Sequence, residues 1–299
     1  MGRSSIANTF NMLRQKPALL LLLLPVPVAS ALLNKFTPPT TAEISSFSYD
    51  YSGLLLTLLM AGLALAVKVI GDITLMPPAM ELLHDGAADC VTERGWCARG
   101  LKKHWWKPIA LSAIELGVNF VLGVLFYFLV FFLSLILIIP IGFSASMDVS
   151  SAAGIGLLSL LFILVLAVFA ALVFLFINSF FLFLLPALAD RGFGAAFKVA
   201  FGKRGMKRIM KIFGMQLLLG IIGGAAMIGI GVVYVLLRGG FDLNGDFASL
   251  AASLTGSWTW FFASVFAAII HLIIYPYAFS VFQEVVAEED REIAVLLNP

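Results

Sequence analysis

Apolar residues along this chain gather in long runs that polar segments separate. The runs cover residues 18–33, 52–73, 108–139, 152–189, 212–237 and 258–283. About 20 apolar residues are enough for a helix to cross the roughly 30 Å hydrocarbon core of a bilayer. In lipid the backbone must satisfy its own hydrogen bonds, so each run is expected to be helical. The pattern predicts an all-α, polytopic membrane bundle of about six transmembrane helices, forming a single integral membrane domain over residues 1–299.

The first run admits two interpretations. Basic residues precede it and residues 29–31 are Ala-Ser-Ala, a combination that resembles a secretory signal peptide with its cleavage site. The basic region is long for a signal peptide, which favours a first span that is retained. A retained span is expected to kink at Pro25 and Pro27, because each proline removes a backbone donor and crowds the preceding turn.

Composition supports the membrane interpretation. Apolar residues make up 61% of the 299 residues and charged residues only 12%, against about 45–50% and about 25% in soluble domains. A soluble fold could not bury so much apolar surface. The net charge is only +2, and no nucleic-acid partner is expected.

The positions of the basic residues predict the orientation. Of 19 Lys and Arg residues, all but Lys35 and Arg238 fall before the first run, around the second and fourth connections, or in the tail. Basic residues mark cytoplasmic segments. The protein is therefore expected in the cell (plasma or inner) membrane with both termini in the cytoplasm. Cys90 and Cys97 then face a reducing compartment, where a structural disulfide is not expected.

Two basic segments have an amphipathic character. Residues 95–107 combine lysines with tryptophans, and residues 190–211 place Phe193, Phe197 and Phe201 on one helical face ahead of a basic cluster. Such segments suit helices at the headgroup level of an anionic leaflet; an ordinary positive-inside anchor is the simpler interpretation. The predicted contacts with lipid headgroups or a partner protein are Lys102, Lys103, Trp105, Trp106, Lys203, Arg204, Lys207 and Arg208.

The two segments share a layout, each leading into a long apolar run, which hints at a weak parallel repeat of about 100 residues. Residues 186–188 (Pro-Ala-Leu), Asp190, Gly192 and residues 195–198 (Ala-Ala-Phe-Lys), with the opening of residues 10–17, carry a resemblance. The chain resembles the membrane domain of glycerophosphodiester phosphodiesterases and related six-helix membrane families. The resemblance implies architecture and no chemistry, since nothing here corresponds to the catalytic barrel of those enzymes.

A metal site is one candidate chemistry. His84, Cys90, Cys97 and His104 lie in one predicted cytoplasmic connection and would suffice for tetrahedral zinc. Their spacing lacks the tight pairs of usual zinc motifs, and the sequence favours surface thiols and imidazoles. No cofactor is predicted.

Polar residues inside the runs are the second candidate. Glu115, Asn119, Asn178 and His271 lie within predicted spans, where polar groups usually face the bundle interior and mark functional sites. Glu115 and His271 could relay a proton if they met; the alternative for all four is hydrogen bonding between helices. Lys68 and Asp72, four residues apart, are expected to form an interfacial ion pair.

Three functions follow from these features. The first is a non-enzymatic accessory or scaffold protein that engages anionic lipid or a cytoplasmic partner. The second is a transporter or channel-like protein with an intramembrane polar site. The third is a membrane enzyme acting on a lipid headgroup, with His84 and Asp85 as its candidates. Gly220 and Gly224 favour close packing within the chain, or a homodimer. The acidic segment 284–292 is expected to be a solvated helix end or a partner for the chain's own basic segments.

Overall fold

In a computed structural model, residues 5–36, 51–84, 95–143, 149–237 and 257–297 are described. These residues are almost entirely helical and contain no strand. In chain order the helices are α1 (Ser5–Gln15), α2 (Ala18–Leu23), α3 (Pro25–Phe36), α4 (Tyr51–Thr74), α5 (Met76–His84), α6 (Trp96–His104), α7 (Trp106–Phe143), α8 (Val149–Asp190), α9 (Phe193–Phe201), α10 (Lys203–Leu237) and α11 (Ser257–Leu297).

Among the described residues, four helices contain segments long and apolar enough to cross a membrane. They belong to α7, α8, α10 and α11, and match the last four predicted runs. Their segments are Trp106–Phe132, Leu164–Asp190, Lys203–Ile230 and Val265–Glu292. The all-α class is confirmed, and four apolar helices are compatible with a multi-pass membrane protein.

The first two predicted runs have a different form. The first is divided, since α2 ends at Leu23 and α3 begins at Pro25, so the predicted proline break is confirmed. Helix α4 is continuous over its 24 residues, about 36 Å at 1.5 Å per residue. That α2–α3 and α4 cross the membrane stays a prediction.

The basic segment before the fifth run is split differently from expectation. An interfacial helix was expected to extend over residues 190–211, but α9 ends at Phe201 and α10 begins at Lys203. Gly202 is the extended residue between them. Next to the break, a side chain on Gly205 would meet the carbonyl of Val199 and lie 2.9 Å from the Cα atom of Ala200. The basic cluster therefore forms the first turns of a spanning helix.

Helix α5 is part of the core, with Ala79, Met80, Leu82 and Leu83 almost fully buried. Pro77 lies in its first turn, where a missing N–H is tolerated. Helix α6 packs closely on this turn, since a side chain on Gly100 would lie 2.8 Å from the carbonyl oxygen of Pro77.

The packed core lies at one end of the bundle. It joins α2, α5, α9 and the start of α10 to residues 181–189 of α8 and residues 274–285 of α11. We call this end the basic end, because Arg191, Arg204, Arg208 and Lys211 lie there. Further along the long helices, apolar side chains are exposed, including Phe120, Leu125, Phe132, Phe169, Ile221 and Ile228. Such a surface suits lipid.

The glycine pair of α10 does not pack as expected. A side chain added at Gly220 or Gly224 would meet nothing within 4 Å, whereas one at Gly223 would touch Ile270 of α11. The close intramolecular packing expected of the first two is therefore absent from the described part of the chain. A homodimer through them stays a prediction.

Candidate functional site

A cavity of about 480 Å³ lies between α2–α3, α4 and α11. Its volume falls within the roughly 300–1,000 Å³ of small-molecule sites. Most of its lining is apolar, from residues such as Leu23, Val26, Leu65 and Met76. The polar side chains that line it are Lys68, Asp72, His271 and Tyr275.

The α4 wall carries both charges. Lys68 and Asp72 are one helical turn apart, which puts them on the same face. The carboxylate of Asp72 accepts a hydrogen bond from the hydroxyl of Ser112 on α7, at 2.7 Å. Lys68 acts on Asp72 as a nearby positive charge. The two charges thus act on each other as expected, but they line a cavity in which Ser112 holds the carboxylate.

The α11 wall supplies two amphipathic rings. His271 and Tyr275 are also one turn apart, and their ring centroids are 5.6 Å from each other. Their ring nitrogens and hydroxyl can donate or accept hydrogen bonds, while their carbon atoms remain compatible with an apolar lining. Pro276 follows directly, inside the helix.

Prolines in two helical segments lie at or next to the cavity. Pro27 lines it from α3, and Pro276 adjoins Tyr275 on α11. Because proline has no N–H, the carbonyl groups of Leu23 and Leu272, four residues earlier, lack their usual helical donor. Interrupted helices within a membrane are tolerated where neighbouring helices or a cavity satisfy the freed backbone. The break between α2 and α3 and the proline inside the continuous α11 thus lie beside the polar side chains of the cavity.

Of the four predicted intramembrane residues, one lines this cavity and a second lies outside the lining but near its charges. His271 lines the cavity, and Glu115 lies close enough to Lys68 and Asp72 for their charges to act on it. Asn119 lies a turn beyond Glu115 on α7, with its buried side-chain oxygen unpaired among the described residues.

Asn178 lies on α8, which contributes no residue to the cavity lining. Its neighbour Ser179 carries the interhelical bond instead, donating to the side-chain oxygen of the buried Gln216 on α10. Hydrogen bonding between helices, the alternative considered for Asn178, is thus observed one residue away.

Of the four predicted metal ligands, the structure describes the side chains of His104 and Cys97. His104 is fully buried and its Nε2 lies 3.0 Å from the carboxylate of Glu81. Burial lowers the pKa of His104, although the hydrogen bond to Glu81 acts in the opposite direction. Cys97 is exposed and Cys90 lies outside the described residues. Among the residues that are described, no three metal-binding side chains come together.

The predicted headgroup residues on α6 and α7 have mixed environments. Trp105 and Trp106 are exposed, and Trp106 stacks on Phe193 with ring centroids 5.3 Å apart. The stack continues along α9 through Phe197 to Phe201. Lys102 is exposed, and the half-exposed Lys103 lies 3.2 Å from Glu81. Contact of these residues with lipid headgroups stays a prediction.

The predicted basic cluster of α10 meets the acidic segment of α11. Arg204 pairs with Glu292, and Arg208 pairs with both Glu284 and Glu288. Lys203 and Lys207 are exposed. The acidic segment thus meets the chain's own basic residues, the second of its two expected roles.

Several residues at these contacts were not singled out by sequence. Nothing in the sequence distinguishes Ser112 and Gln216 from other residues, since single polar residues in apolar runs are common. Lys16, counted only as a topological charge, is buried and donates to the carbonyl of Leu82. Lys107 donates to the carbonyl of Leu188 at 2.6 Å, at the end of α8. A lysine's preference for helix C-termini is known, but which helix it reaches depends on the tertiary fold.

Comparison of the chain with protein-family models, with curated proteins and with solved structures finds no match.

Proposed function

We propose that this protein is a transporter-type membrane protein that binds a small solute with apolar and polar parts in the cavity between α2–α3, α4 and α11. The observation that carries the proposal is the coincidence of polar side chains with the break between α2 and α3 and with Pro276 inside the continuous α11. Interrupted helices at the substrate site recur in secondary transporters, where the freed backbone groups help to bind substrate or ion.

The lining suits a solute of mixed character. Lys68 offers a cation and Asp72 a carboxylate on one wall, while His271 and Tyr275 offer hydrogen-bond donors and acceptors on the other. The surrounding leucines, valine and methionine would hold an apolar portion. Binding would be non-covalent, and the role that we propose is non-enzymatic.

The topology that we propose has six spans. The first is the broken α2–α3, the second is α4, and the other four are the apolar segments of α7, α8, α10 and α11. The distribution of Lys and Arg supports an orientation with the basic end and both termini in the cytoplasm of a plasma or inner membrane. The cavity would then open between the first, second and sixth spans.

A second role at the membrane surface is favoured by the aromatic stack. Trp106, Phe193, Phe197 and Phe201 form a continuous row of rings, and Phe201 is 67% exposed. Indole and phenyl rings beside lysines suit the headgroup region. We propose that this row anchors α9 in an anionic leaflet, with Lys102, Lys203 and Lys207 beside it.

The scaffold hypothesis rests on weaker support. In that hypothesis Arg204 and Arg208 bind a partner protein. In the structure, however, both arginines form ion pairs with glutamates of α11. A cytoplasmic protein partner would have to displace these contacts. The cavity needs no such rearrangement to accept a solute.

Ligand-induced stabilisation tests the solute site. Purified protein would be heated with a panel of short-chain carboxylates, amines and amino acids, since a ligand that binds the folded state raises the unfolding temperature. We expect at least one compound to stabilise the wild type, and the stabilisation to vanish in Lys68→Met and Asp72→Asn. Lys102→Met, which removes an exposed lysine that does not line the cavity, is the matched control. Stabilisation that persists in both cavity variants would contradict the proposal.

A further inference from the structure

At the basic end, acidic side chains near the end of α11 form ion pairs with basic side chains at the start of α10. Glu284 accepts from Arg208 and from Lys211, the latter at 2.9 Å, and also from the hydroxyl of Ser5 on α1. Glu288 pairs with the other terminal nitrogen of the Arg208 guanidinium. Arg208 keeps only 11% of its side chain exposed. One arginine is thus almost enclosed by carboxylates of a distant segment.

The outer contacts of this cluster are more open. Arg204 makes a bidentate pair with Glu292, at 2.6 and 3.0 Å, with more than half of each side chain exposed. Arg191, between α8 and α9, pairs with Glu289 and with Asp190. Hydrogen bonding to Glu289 raises the pKa of Arg191, so this group stays charged. Exposed pairs contribute only about 0–1 kcal/mol each, and can therefore exchange partners.

Arg204 and Arg208 lie near the N-terminus of α10, where the helix dipole favours an anion. Helix α10 begins at Lys203 with no acidic residue in its first turn, although a helix N-terminus stabilises negative charge and disfavours positive charge. An external anion or an acidic segment is needed to offset these like charges. The carboxylates of α11 supply it.

A phosphate would bind the same groups. Arginine forms the same forked, charge-assisted hydrogen bonds with phosphate as with carboxylate. Arg204 and Arg208 lie at the start of an apolar segment long enough to span a membrane, next to exposed Lys203 and Lys207 and the exposed ring of Phe201. In the orientation proposed above, this is the depth of the inner-leaflet headgroups.

We propose that Arg191, Arg204 and Arg208 bind the phosphates of anionic phospholipids, at positions that the glutamates of α11 fill as internal ligands. The lipid and the acidic segment compete, so anionic lipid releases the end of α11 from α10. In neutral lipid the segment remains bound.

Distance measurements between spin labels test this competition in the full chain. Labels at Val295→Cys and Met210→Cys, both at exposed positions, would report the separation of α11 from α10, with Cys90 and Cys97 replaced by serine. The protein would be placed in nanodiscs of phosphatidylcholine alone, or of an equal mixture with phosphatidylglycerol. We expect one short distance in the neutral discs, and at least half of the molecules at a longer distance in the anionic discs.

Charge variants identify the groups responsible. Arg204→Glu should lengthen the distance in neutral discs, and adding Glu292→Arg should restore it, because both side chains are exposed and the swap disturbs no core packing. Lys203→Gln removes a neighbouring charge without removing an ion pair and should leave the distance in neutral discs unchanged. Equal distances in neutral and anionic discs would overturn the competition. If Arg204→Glu also left the distance unchanged, the internal ligand itself would be refuted.

Discussion

Asp72 of α4 and Ser112 of α7 are 40 residues apart in sequence and are joined by a 2.7 Å hydrogen bond at the cavity. The bond fixes a carboxylate in the cavity lining and ties α4 to α7. Polar contacts between helices in membranes are worth about 0.6 kcal/mol on average and up to about 1.7 kcal/mol. This bond therefore contributes more to the position of the carboxylate than to the stability of the bundle.

A double-mutant cycle measures this contact. We predict that Asp72→Asn and Ser112→Ala each lower the free energy of unfolding, and that their effects are coupled by about 0.6–1.7 kcal/mol. Unfolding would be followed in a membrane-mimetic solvent. Thr74→Ala is the control, since the hydroxyl of Thr74 bonds the carbonyl of Ile70 in its own helix. Coupling of Asp72 to Thr74 as strong as to Ser112 would contradict a specific bond.

Gly71 sets the approach of α3 to α4 beside the cavity. A side chain on Gly71 would overlap Val26 of α3, whereas one on Gly62 of the same helix would meet nothing within 4 Å. We predict that Gly71→Ala separates the two helices, lowers stability by about 1–3 kcal/mol and weakens solute binding. Gly62→Ala should leave both unchanged. Thermal unfolding with and without the stabilising solute compares the two variants.

Gly205 fixes the turn between α9 and α10. A side chain added at Gly205 would run into the backbone of Val199 and Ala200, whereas one added at Gly214, further along α10, would meet nothing within 4 Å. We predict that Gly205→Ala lowers the free energy of unfolding by about 3 kcal/mol, because backbone atoms must move. The matched Gly214→Ala variant should have no such effect. Equal stability of the two variants would show that α9 does not pack on α10 in this way.

His104 should make stability depend on pH. Its pKa is lowered in the folded protein by burial, from about 6.5 in an unfolded chain. The folded state then binds fewer protons than the unfolded state, so stability is full above about pH 6.5 and falls as the pH drops below that value. We predict that this loss disappears in His104→Gln. Unfolding temperatures at a series of pH values provide the measurement, and an unchanged pH dependence in the variant would assign the effect to another group.

The sequence predicted the features that depend on local pattern. Apolar runs predicted the helices that carry four membrane-length segments, and Pro25 predicted the break between α2 and α3, since a proline's missing N–H acts within one turn. The acidic segment was recognised as a candidate partner of the basic one. These inferences need only composition, period and charge.

The cavity could not be predicted from the sequence, because it depends on how separate helices face one another. The i, i+4 spacing of Lys68 and Asp72 predicts an ion pair, whereas nothing in the sequence indicates that Ser112 contacts Asp72. Lys16 looked like a topological charge, yet the fold buries it against Leu82. The pairing of Arg208 with Glu284 spans 76 residues, and helix rotation decides such contacts. The proposed function therefore rests on side chains that the spans bring together.

Water access to the cavity tests the central proposal most directly. In a background with Cys90 and Cys97 replaced by serine, Ala267→Cys would place one thiol in the cavity lining, and Leu125→Cys would place one on an exposed apolar surface of α7. A charged, membrane-impermeant thiol reagent would be applied to the protein in membranes. A solute-binding cavity predicts rapid labelling at position 267, slowed by the stabilising solute, and none at position 125. Equal failure to label both positions, with the unfolded protein labelled at each, would contradict a solute-accessible cavity.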